Sequence, residues 1–519
     1  MVLENYAKIS TPSITSTNNV PELINFNKPQ KSKYQSVALL NMPKIGLNNP
    51  PMAPAILQAI AVEMGCDVKF RDLNLDFQDQ FEDQTEITRG WCELGQPLTQ
   101  SDSDQLIAWM QDLDLTWIYT SEVVGISVFS KHSHSFTTWF LKNFKHQIKG
   151  IVVVGGAGAG TENYGQQLFD QGLVDYVVSN EGERSWRNIL ADQLPFVGVN
   201  SPGDVLPDFT DVPIPDYTGY DLDRYLTSKA HGRTIGVEGS RGCVRNCTFC
   251  DIGSFWKKYK FKDGRALAQE LIHLQQQFQV EHFFFNDSLV NGSDRAFRDF
   301  CSVLAEYNKN ATDPIKWSGY YIIKPMQNYK ERDWQNLKDS GVKSLFIGIE
   351  SGSESVRNHM KKKFSNADID HAMERIQFYG IRCTWLLIVG YPTETEEDFE
   401  QTLELLRRYQ PMGLDRTIDT VALGMTLAIL PGTPLYDLRE SLNVVSMIPG
   451  HEDDCVTWKN ENSDFSDRVR RRIRAEEEIR KLGYNSWIGD NDLIQFFEKK
   501  LEDIEKERIS EDDFAEFHS

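Results

Sequence analysis

The sequence predicts an α/β protein: a doubly wound parallel sheet, then a partial (β/α)6 barrel of the TIM type, then a mostly helical extension. Three observations predict it. Continuous apolar runs ending in Ser or Gly alternate with amphipathic stretches, as strands buried on both faces alternate with helices. A proline-rich stretch, "SPGDVLPDFTDVPIPDYTGYDLDRY" (201–225), interrupts that alternation once. A chain of 519 residues is also too long for a single core.

Residues 1–35 read as a polar, disordered or extended arm, with neither the apolar core of a signal peptide nor an Arg-rich transit pattern. "SVALLNMP" is the first strand, and "PAILQAIAVEMG" a helix stopped by Gly65. "DVKFRDLN", "VVGISVFS" (123–130), "GIVVVGGAG" (150–158) and "LVDYVVSNEGE" continue a sheet that is complete by residue 200. Such a sheet binds ligands at the carboxyl ends of its strands. Residues 201–229 form an ordered linker. The barrel follows over 230–440, its strands "RTIGVEGSRG", "EHFFFND", "IKWSGYYII", "SLFIGIES", "RCTWLLIVG" and "DTVALGMTLAIL" separated by amphipathic helices. Its chemistry belongs at the C-terminal strand ends. Tyr320 and Tyr321 alternate on the third strand, so one of them faces the lumen. The extension, 441–519, contains "RVRRRIR" (468–474) followed by "AEEEIRK", the charge pattern of a solvated helix with i,i+4 pairs.

Composition narrows the function. Hydrophobic residues at 40% and charged residues at 25% are those of a soluble globular protein. No apolar run reaches the ~18 residues of a membrane span. A net charge of -21 repels phosphate backbones and disfavours a nucleic-acid partner. Eight cysteines are too sparse for a disulfide scaffold, so a cytoplasmic chain with free thiols is expected.

"RGCVRNCTFCDIG" (241–253) holds Cys243, Cys247 and Cys250 in a C-x3-C-x2-C spacing, directly after the first barrel strand. Spacings of this kind suit iron–sulfur clusters and zinc alike. Zinc wants a fourth ligand, and His231 would have to reach across the strand. Structural zinc staples small domains, whereas this barrel is large enough to fold unaided. A [4Fe–4S] cluster on three cysteines leaves one iron open to a ligand.

The triplet, with Phe249 before its last cysteine, resembles the radical S-adenosylmethionine (SAM) superfamily. The resemblance implies a [4Fe–4S] cluster on Cys243, Cys247 and Cys250, its open iron chelating the methionine moiety of SAM before an electron cleaves the sulfonium. "FFFNDSLVNG" ends strand two where relatives carry an acidic turn on the methionine amine; Asn286, Asp287 and Ser288 match. "FIGIESGSESVRNHMKK" ends strand four, with Gly348, Glu350 and Ser351 toward the cofactor. Each has a plainer reading: Asp287 as a helix N-cap, Glu350 as a partner of a barrel Lys or Arg, Gly348 and Gly390 as packing glycines. "VGYPTETEEDFEQT" and "ILPGTPLYD" are typical of the branch with an N-terminal cobalamin (B12)-binding-like, Rossmann-like domain.

That branch implies cobalamin in the front domain. "GISVFS" with Ser127 and "VVVGGAGAG" with Gly155 and Gly156 resemble the places where the nucleotide tail threads in. "VVSNEGERSW" resembles the family's GEGE turn, with Asn180 replacing its first Gly and Glu181, Gly182 and Glu183 matching. Glycines there would let backbone approach a bulky ligand. The Asp-x-His-x-x-Gly motif is absent; "DLNLDF" (72–77) has Asn74 at the His place and Phe77 at the Gly place. His132 and His134 read as an exposed pair at a helix start. Cobalamin would therefore lack a protein His ligand.

Taken together, the resemblance implies a cobalamin-dependent radical SAM methyltransferase acting on a small molecule, with an electron donor such as flavodoxin or ferredoxin. The alternative is rearrangement, ring contraction or cyclisation without methyl transfer. A methylthiotransferase needs three more front-domain cysteines, where only Cys66 and Cys92 stand; Cys301, Cys383 and Cys455 read as inert thiols.

Overall fold

The computed structural model describes residues 31–178, 181–193, 198–199, 206–209, 212–424, 426–446 and 456–486. Most of the expected arm, Asn180, Cys455 and the end of the chain beyond 486 lie outside the described residues. Two compact units divide between Gly236 and Val237.

In the first unit, strands β1 (Ser36–Asn41), β2 (Asp67–Asp72), β3 (Val123–Ser127), β4 (Ile151–Gly155), β5 (Tyr176–Val178) and β6 (Gly198–Val199) form one sheet in the order β2-β1-β3-β4-β5-β6. Every pair is parallel. The continuous apolar runs follow from burial on both faces. Leu40, Val124, Ile126, Val152 and Val154 pack into one core, while Val37, Leu39, Val123 and Val153 pack into another. The chain reverses direction across the sheet between β1 and β3, and that topological switch point is where such sheets seat ligands.

Between β2 and β3 the chain adds helices Leu73–Phe81 and Gln100–Asp112, which bring Phe77, Phe81 and Trp109 into an edge-to-face cluster. The proline-rich segment belongs to this unit. Tyr220 stacks on Phe70 at 3.8 Å, and Tyr225 donates to the buried Asp72 at 2.6 Å.

The second sheet begins with β7 (Thr234–Val237), within which the division falls. A small antiparallel ribbon, β8 (Ser240–Arg241) and β9 (Lys260–Phe261), frames the cysteine loop. Then come β10 (His282–Phe285), β11 (Lys316–Tyr321), β12 (Val342–Glu350), β13 (Cys383–Leu387) and β14 (Ile418–Leu423). Strands β15 (Val445–Ser446) and β16 (Trp458–Lys459) pair with each other, and β17 (Asn485–Ser486) completes the main sheet. Its order is β17-β14-β13-β12-β11-β10-β7, the six expected strands in sequence plus one from the extension. Helices between them are capped by their own sequence; Ser365 with Asp368 and Thr395 with Asp398 form capping boxes.

The extension corrects one expectation. Helix Phe465–Lys481 is not a solvated helix, because Arg468, Arg471 and Arg472 are buried. The Arg468 guanidinium lies 3.6 Å from the Trp458 ring centroid and donates to the Val456 and Trp458 carbonyls. Arg471 pairs with buried Glu394, and Arg472 donates to the Gly424 carbonyl at the end of β14. Gly390 has no room for a side chain, since a Cβ there would stand 2.5 Å from the Arg468 side chain. The extension is a brace on strands five and six. Among the described residues no helix is long and apolar enough to cross a membrane.

Candidate functional site

Buried strand β7 delivers the chain to Glu238 and Gly239, and the cysteine loop starts at Gly242. Gly242 has φ +81°, and a Cβ there would stand 2.9 Å from the Lys258 carbonyl, so only glycine makes this turn without strain. Cys243, Cys247 and Cys250 are free and half-buried. Burial raises all three thiols above their ordinary range, Cys250 to about 11; Lys362 and the Arg245 N–H counter this at Cys243. Backbone N–H groups of Val244, Arg245 and Ile252 point at the sulfurs, the pattern that favours thiolate. Among the described residues no three His, Cys, Asp or Glu side chains converge on one point as the ligands of a single metal ion must. Thiolates that each hold a separate iron have no such requirement.

The loop is pinned from three later strands. The Thr248 N–H donates to the Met360 carbonyl at 3.2 Å, and its own carbonyl accepts from Leu435 at 2.7 Å. Its hydroxyl meets the Tyr391 hydroxyl at 2.7 Å, which in turn lies 2.8 Å from His359 Nδ1. Phe249 packs beside Val356, Met360, Tyr391 and Leu435.

Glu350 and Lys362 form the second element. Their carboxylate and ammonium pair at 2.8 Å, each side chain about a tenth exposed. Burial opposes the Lys362 charge, but the Glu350 carboxylate outweighs it and holds Lys362 above its ordinary value. A bulge between Gly348 and Glu350, with Glu350 at φ +66°, turns the carboxylate in. A Cβ on Gly348 would stand 2.2 Å from Glu350 Oε1 and 2.9 Å from Lys362 Nζ, so this glycine makes room for the pair. The charges of Cys243 and Cys247 also raise Lys362, so the ammonium lies within electrostatic range of those two thiols. The pair is the plainer reading of Glu350, a partner of a barrel lysine, and Lys362 is the last residue of the motif at 346–362.

Asp287 and Ser351 are both hydrogen-bonded within the protein. Asp287 is buried, and its carboxylate accepts from Gly239 N–H at 2.9 Å and Ser240 Oγ at 2.5 Å, tying strand two to the base of the cysteine loop. It caps no helix. Burial pushes it up to about 7 against those two donors. Asn286 is exposed and Ser288 half-buried beside it. Ser351 is fully buried, its hydroxyl accepting from Ser353 N–H. Tyr320 takes the face opposite the helices, with Phe284 and Phe346 as aromatic neighbours, whereas Tyr321 packs against Phe297. Cys66, Cys92, Cys301 and Cys383 are buried, and burial pushes their thiols up.

In the first unit Ser127 and Gly155 end adjacent strands β3 and β4 at the carboxyl edge. The neighbouring glycines serve packing: a Cβ on Gly156 would stand 2.4 Å from the Val128 carbonyl, and one on Gly158 2.8 Å from Ser130 N. They clamp the 156–158 turn onto the 128–130 turn, and so hold Phe129, 64% exposed, out at that edge. Glu181 is buried and accepts from Leu206 N–H at 2.8 Å. Asn74 is buried and bonds both the N–H and the carbonyl of Ile45, locking the loop after β1. The histidines are not an exposed pair. His134 stacks on Tyr164 at 3.7 Å and bonds the Gly158 carbonyl, and His132 is half-buried.

Residues 237–406, within the second unit, match the radical SAM superfamily. An uncharacterized methyltransferase of Pyrococcus horikoshii is 23% identical over 63% of this chain and 71% of its own length. The anaerobic magnesium-protoporphyrin IX monomethyl ester cyclase of Rubrivivax gelatinosus is 25% identical over 50% of each chain, so this chain spans half of it. Among solved structures, the cobalamin-dependent radical enzyme OxsB, with aqua-cobalamin and SAM bound, matches at TM-score 0.60 and 16% identity over 92% of this chain and 71% of its own. The radical SAM methyltransferase TsrM of Kitasatospora setae, with cobalamin and a [4Fe–4S] cluster, matches at TM-score 0.56 and 16% identity over 80% and 76%. The fold is thus similar to that of these two enzymes, each solved with cobalamin bound.

Proposed function

We propose that this protein is a cobalamin-dependent radical SAM methyltransferase acting on a small molecule. The observation that supports the reading is the three-cysteine loop in a region that matches the radical SAM superfamily, with Cys243 and Cys247 in electrostatic range of the buried Glu350–Lys362 pair. The three thiols would hold a [4Fe–4S] cluster, which supplies the electron that opens the SAM sulfonium. Glu350 and Lys362 offer a carboxylate and an ammonium side by side, complementary to the ammonium and carboxylate of a methionine moiety. Asp287 positions the loop through Gly239 and Ser240 rather than touching SAM. Phe284, Tyr320 and Phe346 would meet the substrate.

The switch-point edge of the front sheet bears Ser127, Gly155 and exposed Phe129, a fit for the apolar face of a corrin. Cobalamin bound there would carry the methyl group; His134 is engaged with Tyr164 and the Gly158 carbonyl. The reducing compartment that keeps these thiols free is the cytoplasm. Cyclisation is the second reading, favoured by the likeness to the ester cyclase.

The test is anaerobic reconstitution with iron, sulfide, SAM and reduced cobalamin, followed by mass analysis. Formation of both 5′-deoxyadenosine and S-adenosylhomocysteine, lost in Cys247→Ala, supports methyl transfer. 5′-Deoxyadenosine alone turns the assignment to the cyclase reading. Neither product, from protein with a full iron complement, refutes both.

A further inference from the structure

The surface around the cysteine loop has a character at odds with the rest of the chain. Residues 241–265 hold seven Lys or Arg against two Asp in a protein of net charge -21. Lys257, Lys258, Lys361 and Lys363 are exposed, and none of them pairs with a carboxylate among the described residues. Apolar side chains are exposed among them: Val244 at 45%, Phe255 at 55% and Phe261 at 46%. The strip is one patch in space. Trp256 and Lys258 pack against Gly242, Phe261 lies on the ribbon opposite Ser240, and Met360 bonds the loop at Thr248. Of the seven basic residues, Arg241 pairs with Glu238, Lys262 with Glu270 and Arg265 with Asp299, so the exposed lysines carry the positive charge; the strip's own carboxylates are half-buried Asp251 and exposed Asp263, the latter spent on capping a helix.

We propose that this patch docks an acidic one-electron carrier protein, of the flavodoxin or ferredoxin kind, and that it is the port through which the cluster is reduced. The proposal rests on the reading of the three cysteines as cluster ligands. Apolar groups ringed by like charge are the anatomy of a small, transient interface. Charge complementarity names the occupant: a chain of net charge -21 repels an acidic protein as a whole, and a patch of lysines without carboxylate partners attracts and orients it. Val244 and Asn246 are exposed chain neighbours of Cys243 and Cys247, so a seated carrier is one residue from the thiolates. In the transfer the carrier is oxidised by one electron and the cluster reduced by one, with no proton or group moving.

The experiment follows cluster bleaching and SAM cleavage in the reconstituted full chain, reduced either by photoreduced flavodoxin or by dithionite. Lys257→Glu/Lys258→Glu should slow flavodoxin-driven reduction by about tenfold or more at low salt, with the gap closing as ionic strength rises. Phe255→Ala should slow it at every salt concentration. Dithionite-driven cleavage should be unchanged in both, and Lys309→Glu, a charge reversal on an exposed helix elsewhere, should leave both routes intact. An unchanged flavodoxin rate in the double variant overturns the proposal, including the case in which that variant has instead lost affinity for RNA. Equal losses with flavodoxin and dithionite also overturn it, by showing damage to the loop. If the parent protein fails to cleave SAM with dithionite, the underlying radical SAM reading is what falls.

Discussion

Removing the ammonium of Lys362 isolates the energetics of the site. Lys362→Met keeps the length of the side chain but leaves the Glu350 carboxylate in a pocket where each partner is about a tenth exposed. Breaking a buried pair on one side costs about 3–5 kcal/mol, because the survivor's desolvation is no longer offset. The residual exposure of both groups sets the expectation at the lower end, about 3 kcal/mol, or roughly a hundredfold in the unfolding equilibrium. Glu350→Gln/Lys362→Met removes both charges and should recover most of that loss, giving a coupling of about 2 kcal/mol. Urea titration of the apo chain at pH 7.5, followed by fluorescence, measures both. The pH sits well inside the window. Lys362 is raised in the fold, so its contribution is complete below a lysine's ordinary 10.5 and fades only as pH climbs through the higher folded value. Gly348→Ala should mimic the single variant, since its Cβ would displace Glu350 Oε1. A loss under about 1 kcal/mol for Lys362→Met, or a double variant that costs the sum of its parts, would refute the claim that the pair is a coupled, desolvated unit.

Asp287, raised from 3.8 to about 7 by burial, is protonated in the fold across a range where the unfolded chain is not. Stability should therefore fall as pH rises from about 4 to 7, by up to about 1.4 kcal/mol per unit from this group, and urea midpoints of Asp287→Asn should lack that component. At the base of the loop, Gly242→Ala forces a side chain into a positive-φ turn against the Lys258 carbonyl, at a cost of about 1–3 kcal/mol. Iron and sulfide retained per chain after reconstitution should drop while the far-UV spectrum stays unchanged.

The strands were legible because their chemistry is local. Val37 to Leu40 are apolar in succession because alternate residues enter different cores, and a single segment shows that. The cysteine triplet was legible for the same reason, its spacing lying within one loop. Other features share their local pattern with a different structure. "RVRRRIR" has the i,i+4 charges of a solvated helix, yet backbone carbonyls near Trp458 and at the end of β14 satisfy its guanidinium groups and draw them inside. Gly156 and Gly158 look alike whether backbone must approach a ligand or another turn, and here it is the turn at 128–130.

The cysteine loop itself shows why the remainder of the site was hidden. Its spacing names three ligands, but its shape depends on Tyr391, which stands 143 residues from Thr248, and on the main chain at Met360 and Leu435. Lys362 meets Glu350 at a bulge that follows Gly348, and that pair lies within electrostatic range of Cys243 and Cys247. None of these partners has a pattern of its own, since a lone Tyr, Lys or Gly is ordinary in any strand end. What brings them together is a parallel sheet that places the C-terminal ends of all its strands on one side. The ligands are therefore a property of local spacing and their electrostatic setting a property of topology. A substitution at Tyr391 or Gly348 should thus alter the centre while leaving every cysteine in place.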